Sequence, residues 1–284
     1  MTAFSDQLAQ YWQQPRARRW LILSLSVGGL LVMGFYAVAE PAHLAHNHAL
    51  DGADWLGYAV CHRLTERSFV IDGRQLPLCA RCSGMYLGVM VVFLMTFMNG
   101  RLRWSELPPW PLLLALFGFI GLMGIDGVNS YSHFFPNAPH LYTPRNWLRL
   151  LTGIGTGLAM GSFILPALAQ TLWRLPAPRA PLAAWHDLLD LLLAAGVVVL
   201  LVLSNQPTLL YVLALVSVAG LVLLLGAINT ILGLTLLRRD GRALRWRETA
   251  VPLIIGVLFA IIELSAISFV RYHFTGTMIG FPGL

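Results

Sequence analysis

An all-α integral membrane protein of about seven transmembrane helices is what this sequence predicts, and three observations carry the prediction. Hydrophobic residues make up 57% of the 284 and charged residues 11%, against about 25% charged in an average soluble domain. Seven apolar runs are each close to the ~20 residues a helix needs to cross a bilayer: 20–39, 79–98, 110–127, 146–170, 188–204, 209–236 and 251–270. The nineteen basic residues are all arginine, and most of them cluster at alternate ends of those runs.

The first run follows "PRARR" and ends in "AVA", which resembles a cleavable signal peptide. Its length exceeds the 7–15 residues of a signal h-region, so an uncleaved anchor is expected. Ahead of it, Phe4, Leu8 and Tyr11 or Trp12 fall at helical spacing and predict a short interfacial helix over 1–13. In the second run Arg81, Gly84 and Gly88 share a helical face. In the third, Gly118, Gly121, Gly124 and Gly127 recur every third residue, and in the fourth Arg149, Gly153, Gly157 and Gly161 line up. Small residues on one face let helices approach closely, so spans two to four are expected to form the tightly packed core. Only Asn205, Gln206 and Pro207 join the fifth run to the sixth, which requires a tight hairpin, and the sixth is long enough to tilt. The expected organisation is a cytoplasmic segment over 1–19, a four-span core over 20–170 and a three-span module over 171–284.

Basic residues near span ends resist translocation, so arginine placement sets orientation. With seven spans, the clusters at Arg16–Arg19, Arg101–Arg103, Arg174–Arg179 and Arg238–Arg247 all fall on one side, which is then the cytoplasm. The expected location is a bacterial or archaeal plasma membrane, with the segments 39–78 and 129–145 on the outer face. That assignment puts seven of the eight histidines outside, His186 being the exception. It also puts Arg63, Arg67, Arg74 and Arg81 outside, against the rule, which calls for an anionic ligand or a local negative charge. No basic segment interleaved with aromatics resembles an RNA-binding motif, so nucleic acid is not an expected partner.

All three cysteines lie in "CHRLTERSFVIDGRQLPLCARC", residues 61–82. Within it, Phe69, Val70 and Ile71, then Asp72-Gly73, read as a hairpin with a type I′ turn. Such a hairpin brings Cys61 and His62 towards Cys79 and Cys82, a three-cysteine, one-histidine set suited to tetrahedral zinc. His43 or His48 is the alternative fourth ligand, and Arg63 and Arg81 would offset the thiolate charge. The competing readings are thiol–disulfide exchange at Cys79 and Cys82, and a structural disulfide with one spare thiol.

Polar residues collect near the outer ends of the spans: Arg81, Asp126, Asn129, Arg145, Asn146, Arg149 and Glu263. Charges at such depth are costly and face partners or cavities, so these residues are expected to converge. Arg145, Asn146 and Arg149 stand about one helical turn apart, a spacing that holds a phosphate bidentately. "TPRNW" starts a helix with Thr143 as cap. Pairing of Arg149 with Asp126 or Glu263 is the purely structural alternative. No glycine-rich nucleotide loop, serine elbow or zincin signature is present.

The segments "CHRLTERSF", "LPLCARCSGMYLG", "GIDGVNS" and "PRNWLRLLTG" resemble the uncharacterised bacterial and archaeal membrane-protein family known as domain of unknown function 2085, over roughly 54–161. The resemblance maps its motif onto Cys61, His62, Arg67, Cys79, Arg81, Cys82, Gly84, Asp126, Asn146, Arg149 and Gly153. It implies a membrane location and this residue set, and it implies no reaction.

The sequence therefore leads to an outer-leaflet site where a zinc-type cluster adjoins Arg81, Arg145, Asn146 and Arg149. The expected ligand is an anionic lipid or lipid-linked phosphate, because arginines at headgroup depth meet such groups. In an enzyme, an open metal position would activate water and Asp126 or Glu263 would act as general base. A membrane thiol–disulfide oxidoreductase, a transporter and a purely structural scaffold are the alternatives. No oligomeric state follows from the sequence.

Overall fold

The computed structural model describes residues 44–135, 139–278 and 280. The expected first span over 20–39, the interfacial helix over 1–13 and His43 lie outside the described residues. Among the described residues seven helices follow one another: α1 (His48–Tyr58), α2 (Ala80–Met98), α3 (Trp110–Ser132), α4 (Asn146–Leu172), α5 (Trp185–Leu203), α6 (Pro207–Leu236) and α7 (Trp246–Thr275). The six helices from α2 to α7 are long and apolar enough to cross a membrane. They coincide with the second to seventh runs read from the sequence. The chain is an all-α membrane protein.

Between α1 and α2 lies the expected hairpin, β1 (Val70–Ile71) and β2 (Arg74–Gln75). Val70 pairs with Gln75 and Ile71 with Arg74, antiparallel. Asp72 and Gly73 form the turn with φ of 47° and 79°, the two left-handed residues that a type I′ turn requires.

The core is the crossing of α2 on α4. Gly84 and Gly88 of α2 face the Leu150 and Ile154 carbonyls, and Gly153 and Gly157 of α4 face those of Arg81 and Met85. A side chain at any of these four would collide with backbone, so the glycines set the interhelical distance. The expected close packing through small residues holds here and fails in α3. Among the described residues, a Cβ at Gly118, Gly121, Gly124 or Gly127 would meet nothing within 4 Å. Glycine permits close approach without compelling it, and α4 turns another face to α3, where Gly155 lies against Phe119.

Helices α5 and α6 pack on α2 and α4, and α7 packs on α6 and α1. Gly220 of α6 sits on the Tyr86 carbonyl of α2, while Gly226 of α6 and Gly256 of α7 bring those two helices together.

The polar segments sort to two ends. At one end, Ser268 of α7 donates to the Trp55 carbonyl of α1 at 2.6 Å, and Asn146 of α4 donates to the Glu66 carbonyl at 3.2 Å. At the other, short bridges pair Trp104 with Ala177 and Trp173 with Ala243. There Arg101 meets Asp187 at 2.6 Å and Arg103 lies over Trp173. The arginine clusters of 101–103, 174–179 and 238–247 thus gather at the end opposite the cysteines.

Candidate functional site

The three thiols converge. The Sγ atoms of Cys61, Cys79 and Cys82 all lie within 4.8 Å of one another. Cys61 and Cys79 are buried in an apolar cluster with Leu78, just before α2, and with Tyr86, Leu221 and Leu264 of α2, α6 and α7. Cys79 caps α2, and its backbone N–H donates to Cys61 Sγ at 3.1 Å. Arg271 holds the other side, donating to the Cys61 carbonyl at 2.6 Å.

His62 Nδ1 lies 3.6 Å from Cys61 Sγ. Immediately after this pair the chain turns through a left-handed residue, Arg63, with φ of 49°. Two contacts hold the turn: Arg63 meets Asp54 at 2.9 Å, and the Gly280 N–H donates to the Arg63 carbonyl at 3.1 Å. Left-handed non-glycine residues are uncommon and cluster at functional sites.

Hydrogen bonds from Cys61 and Cys82, and then from His62, hold the Cys79 thiol well below the usual thiol range. The hydrogen bond to Cys79 pushes Cys61 up to about 12. A tetrahedral zinc with Zn–S near 2.3 Å spaces its sulfurs about 3.8 Å apart. The three thiols of Cys61, Cys79 and Cys82 could hold a zinc-type ion; His62 lies against Cys61 but is not part of this three-thiol group. His48 is exposed and pairs with Asp51 at 3.2 Å on α1, apart from the thiols.

Three of the four arginines that break the charge rule, Arg63, Arg74 and Arg81, pair with carboxylates. Arg74 meets Asp54 at 2.6 Å and Asp51 at 2.7 Å, and its guanidinium holds the Asp51 carboxyl below the usual carboxylate range. Arg63 shares Asp54. Arg81, between two of the cysteines, grips Asp126 of α3 through Nη2 and through Nε at 3.1 Å, and donates to Ser130 Oγ at 3.1 Å. Arg63 and Arg81 were expected to offset thiolate charge directly; the carboxylates take that place because they lie within hydrogen-bonding reach.

Asp126 is the hub of the second cluster and is 1% exposed. Tyr142 OH donates to its Oδ1 at 2.8 Å. Burial, and then this bond, push the Tyr142 hydroxyl up to about 12. Asn129 orders the same corner: its Oδ1 accepts from the Leu141 N–H at 2.8 Å and its Nδ2 donates to the Tyr142 carbonyl at 2.8 Å.

Around this hub stand three guanidiniums. Arg67 donates to the Ser130 carbonyl at 3.2 Å and covers the Phe134 ring at 4.1 Å. Arg149 donates to Asn146 Oδ1 at 2.8 Å, and Asn146 in turn donates to the Glu66 and Ser68 carbonyls. Arg67, Arg81 and Arg149 lie close enough to repel one another. Arg149 is 7% exposed and its Nε is buried without a hydrogen-bond partner.

The structure thus brings together Cys61, Cys79 and Cys82, with His62 against Cys61, and beside them Arg81, Asp126, Asn146 and Arg149. Two expected members do not join. Arg145 is the N-cap of α4, extended at φ −126° and exposed, so the one-turn spacing to Arg149 does not place it on the same helical face. The same observation moves the cap from Thr143 to Arg145. Glu263 lies on α7, whose neighbours are α6 and α1. There it accepts from Asn229 Nδ2 at 3.2 Å, away from Asp126 and Arg149. Arg67, Tyr142 and Ser130 belong to the cluster and were not among the candidate ligands. The family motif had flagged Arg67; no sequence signal flagged the other two.

These features define a polytopic helical membrane protein with a buried thiol cluster and an arginine cluster at one end. Residues 61–163 match the family described as "Predicted membrane protein (DUF2085)", and the match includes every residue of both clusters. An uncharacterized protein of Methanocaldococcus jannaschii is 30% identical over 116 residues, which is 40% of this chain and 67% of that protein. An uncharacterized protein of Methanothermobacter thermautotrophicus is 34% identical over 84 residues, 28% of this chain and 76% of that protein. The chain belongs to this family of predicted membrane proteins. No solved structure matches it.

Proposed function

We propose that this protein binds the anionic headgroup of a lipid, or a lipid-linked phosphate, at Arg67, Arg81 and Arg149, beside a zinc-type centre at Cys61, Cys79, Cys82 and His62. The observation that carries the anion reading is Arg149: a guanidinium almost fully buried, with an idle Nε, near two other guanidiniums of which Arg81 pairs with Asp126 and Arg67 donates to a backbone carbonyl. Buried like charges need a counter-ion, and a phosphate accepting forked hydrogen bonds supplies one. The positive-inside rule puts the arginine-rich end in the cytoplasm and this site at the outer surface of the plasma membrane. Exposed Tyr131, Phe135 and Trp147 near the cluster suit headgroup depth.

Bound zinc would supply a rigid crosslink with four protein ligands, or a Lewis acid with one position open. The residues favour binding over hydrolysis. Both oxygens of Asp126 are engaged, by Arg81 and Tyr142, whereas a general base needs a free one. The low-lying Cys79 thiol at the start of α2 supports thiol–disulfide exchange as a second reading.

Lipid carried through purification tests the anion reading. Wild type is expected to retain phosphate-bearing lipid in stoichiometric amount by mass spectrometry of the extract, and Arg67→Gln/Arg149→Gln is expected to lose most of it. Equal retention by the two proteins would remove the arginines from the ligand's path.

A further inference from the structure

A small polar cavity lies at the arginine-rich end, between α2, α4 and α5. Its volume is about 20 Å³, and among its lining residues are Thr96 of α2, the α2 C-cap Asn99, Ser162 of α4 and Asp190 of α5. About 10–15 Å³ is enough to hold one water, so the space admits a single body of that size.

Ser162 has two oxygens short of partners. The residue is 4% exposed, and among the described residues its Oγ is buried with no hydrogen-bond partner. A hydroxyl inside a helix ordinarily returns to the carbonyl four residues back, as Thr152, Thr156 and Thr171 of the same helix do. Ser162 departs from that pattern where it meets the cavity. Four residues on, Pro166 lies inside α4 and has no N–H, so the Ser162 carbonyl also lacks its regular helical donor.

Charge decides what the cavity takes. Arg101 and Asp187 line it too, but they satisfy each other. Arg101 Nη1 donates to Asp187 Oδ1 at 2.6 Å and to the Pro181 carbonyl at 2.8 Å, and Asp187 Oδ2 accepts from the Ala183 and Ala184 N–H groups at 3.0 and 3.1 Å. Asp190, one turn along α5, adds one negative charge beside neutral oxygens. A water leaves that charge unbalanced, whereas a monovalent cation balances it. Calcium takes about six to eight oxygens and magnesium keeps several waters, more than a space of this size holds. Carbonyls released from a helix ladder are sodium ligands in membrane transporters.

We infer that this cavity is a site for one monovalent cation of sodium size, held by Ser162 with the side-chain oxygens of Thr96, Asn99 and Asp190. The site is separate from the proposed anion site, since about 20 Å of α4 lies between Ser162 and Arg149. The ion ties α5 to α2 and α4, so its binding stabilises the folded chain.

Thermal unfolding of the purified full chain in mild detergent tests this. Sodium chloride is exchanged for choline chloride at constant ionic strength, which removes general screening, for wild type, Ser162→Ala and Asp190→Asn. Asp190 is exposed, so its variant keeps the fold; Ser162→Cys replaces Ser162→Ala if the latter does not fold. The wild-type midpoint is expected to rise saturably with sodium. Ser162→Ala is expected to need about tenfold more sodium for half of its rise, one ligand oxygen being lost, and Asp190→Asn to lose the response. Equal wild-type midpoints in the two salts would leave the cavity to water and overturn the inference. A sodium response kept in both variants would place the ion elsewhere, and one lost only in Asp190→Asn would place it on the surface outside the cavity; either result would overturn the inference as well.

Discussion

Arg81→Met is expected to be the most damaging single substitution in the protein. It leaves Asp126, 1% exposed, without its cation. Breaking a buried pair from one side costs about 3–5 kcal/mol, a large part of the ~5–15 kcal/mol that holds a typical protein folded. Tyr142 and Thr152 remain as donors to the carboxylate, but neither neutralises its charge. The expected result is a steep fall in the thermal unfolding midpoint in mild detergent. Adding Asp126→Asn to Arg81→Met removes the stranded charge and is expected to recover much of that loss. A double variant no more stable than Arg81→Met alone would show that the pair does not act as a unit.

Gly157→Leu should come close behind, for a different reason. Its Cβ would enter the Met85 carbonyl and the Gly88 backbone, and neither is a flexible side-chain end that can give way. Overpacking a well-packed core costs about 1–3 kcal/mol when neighbours shift, and here two helical backbones must separate. The expected outcome is loss of the monodisperse species on size-exclusion chromatography. Gly118→Leu is the control: it adds the same bulk where nothing lies within 4 Å. Its midpoint is expected to stay within about 0.5 kcal/mol of wild type, as for surface changes elsewhere. Equal damage at 118 and 157 would mean that α3 is packed against something.

That contrast shows how far the sequence could be read. Glycines at three- and four-residue spacing mark a face on which another helix can lie, and at Gly84, Gly88, Gly153 and Gly157 one does. The pattern in α3 is as regular, yet spacing names a face and not its neighbour. Span ends were legible to a few residues, with informative exceptions. α3 continues past Gly127 to Ser132 because Asp126 and Asn129, which look like the end of an apolar run, are satisfied by Arg81, Tyr142 and Leu141. α7 starts at Trp246, ahead of its apolar run, because Glu248 accepts from the Leu244 and Arg245 N–H groups at its first turn.

The thiol site was legible because two local rules agreed. Asp72-Gly73 fixes a hairpin, and the hairpin folds the segment so that Cys61 returns to Cys79 and Cys82. The arginine cluster was only partly legible. Arg81, Asp126, Asn146 and Arg149 were marked by being polar near span ends, a property that Arg145 and Glu263 share without sharing the site. Arg67 reaches the cluster from a short 3₁₀ turn, Thr65–Arg67, and Tyr142 from the loop before α4. Neither position has a periodicity that reports where it points.

Whether the three thiols form a metal centre, as proposed, is tested most directly by metal content. Protein purified in mild detergent without added chelator is analysed for bound elements, with free thiols counted before and after reduction, for wild type and Cys79→Ser. The account predicts about one zinc-type ion per chain in wild type, little in Cys79→Ser, and three thiols released by denaturation with chelator but without reductant. Metal-free wild type in which two thiols appear only after reduction would contradict it and assign Cys61, Cys79 and Cys82 to disulfide chemistry.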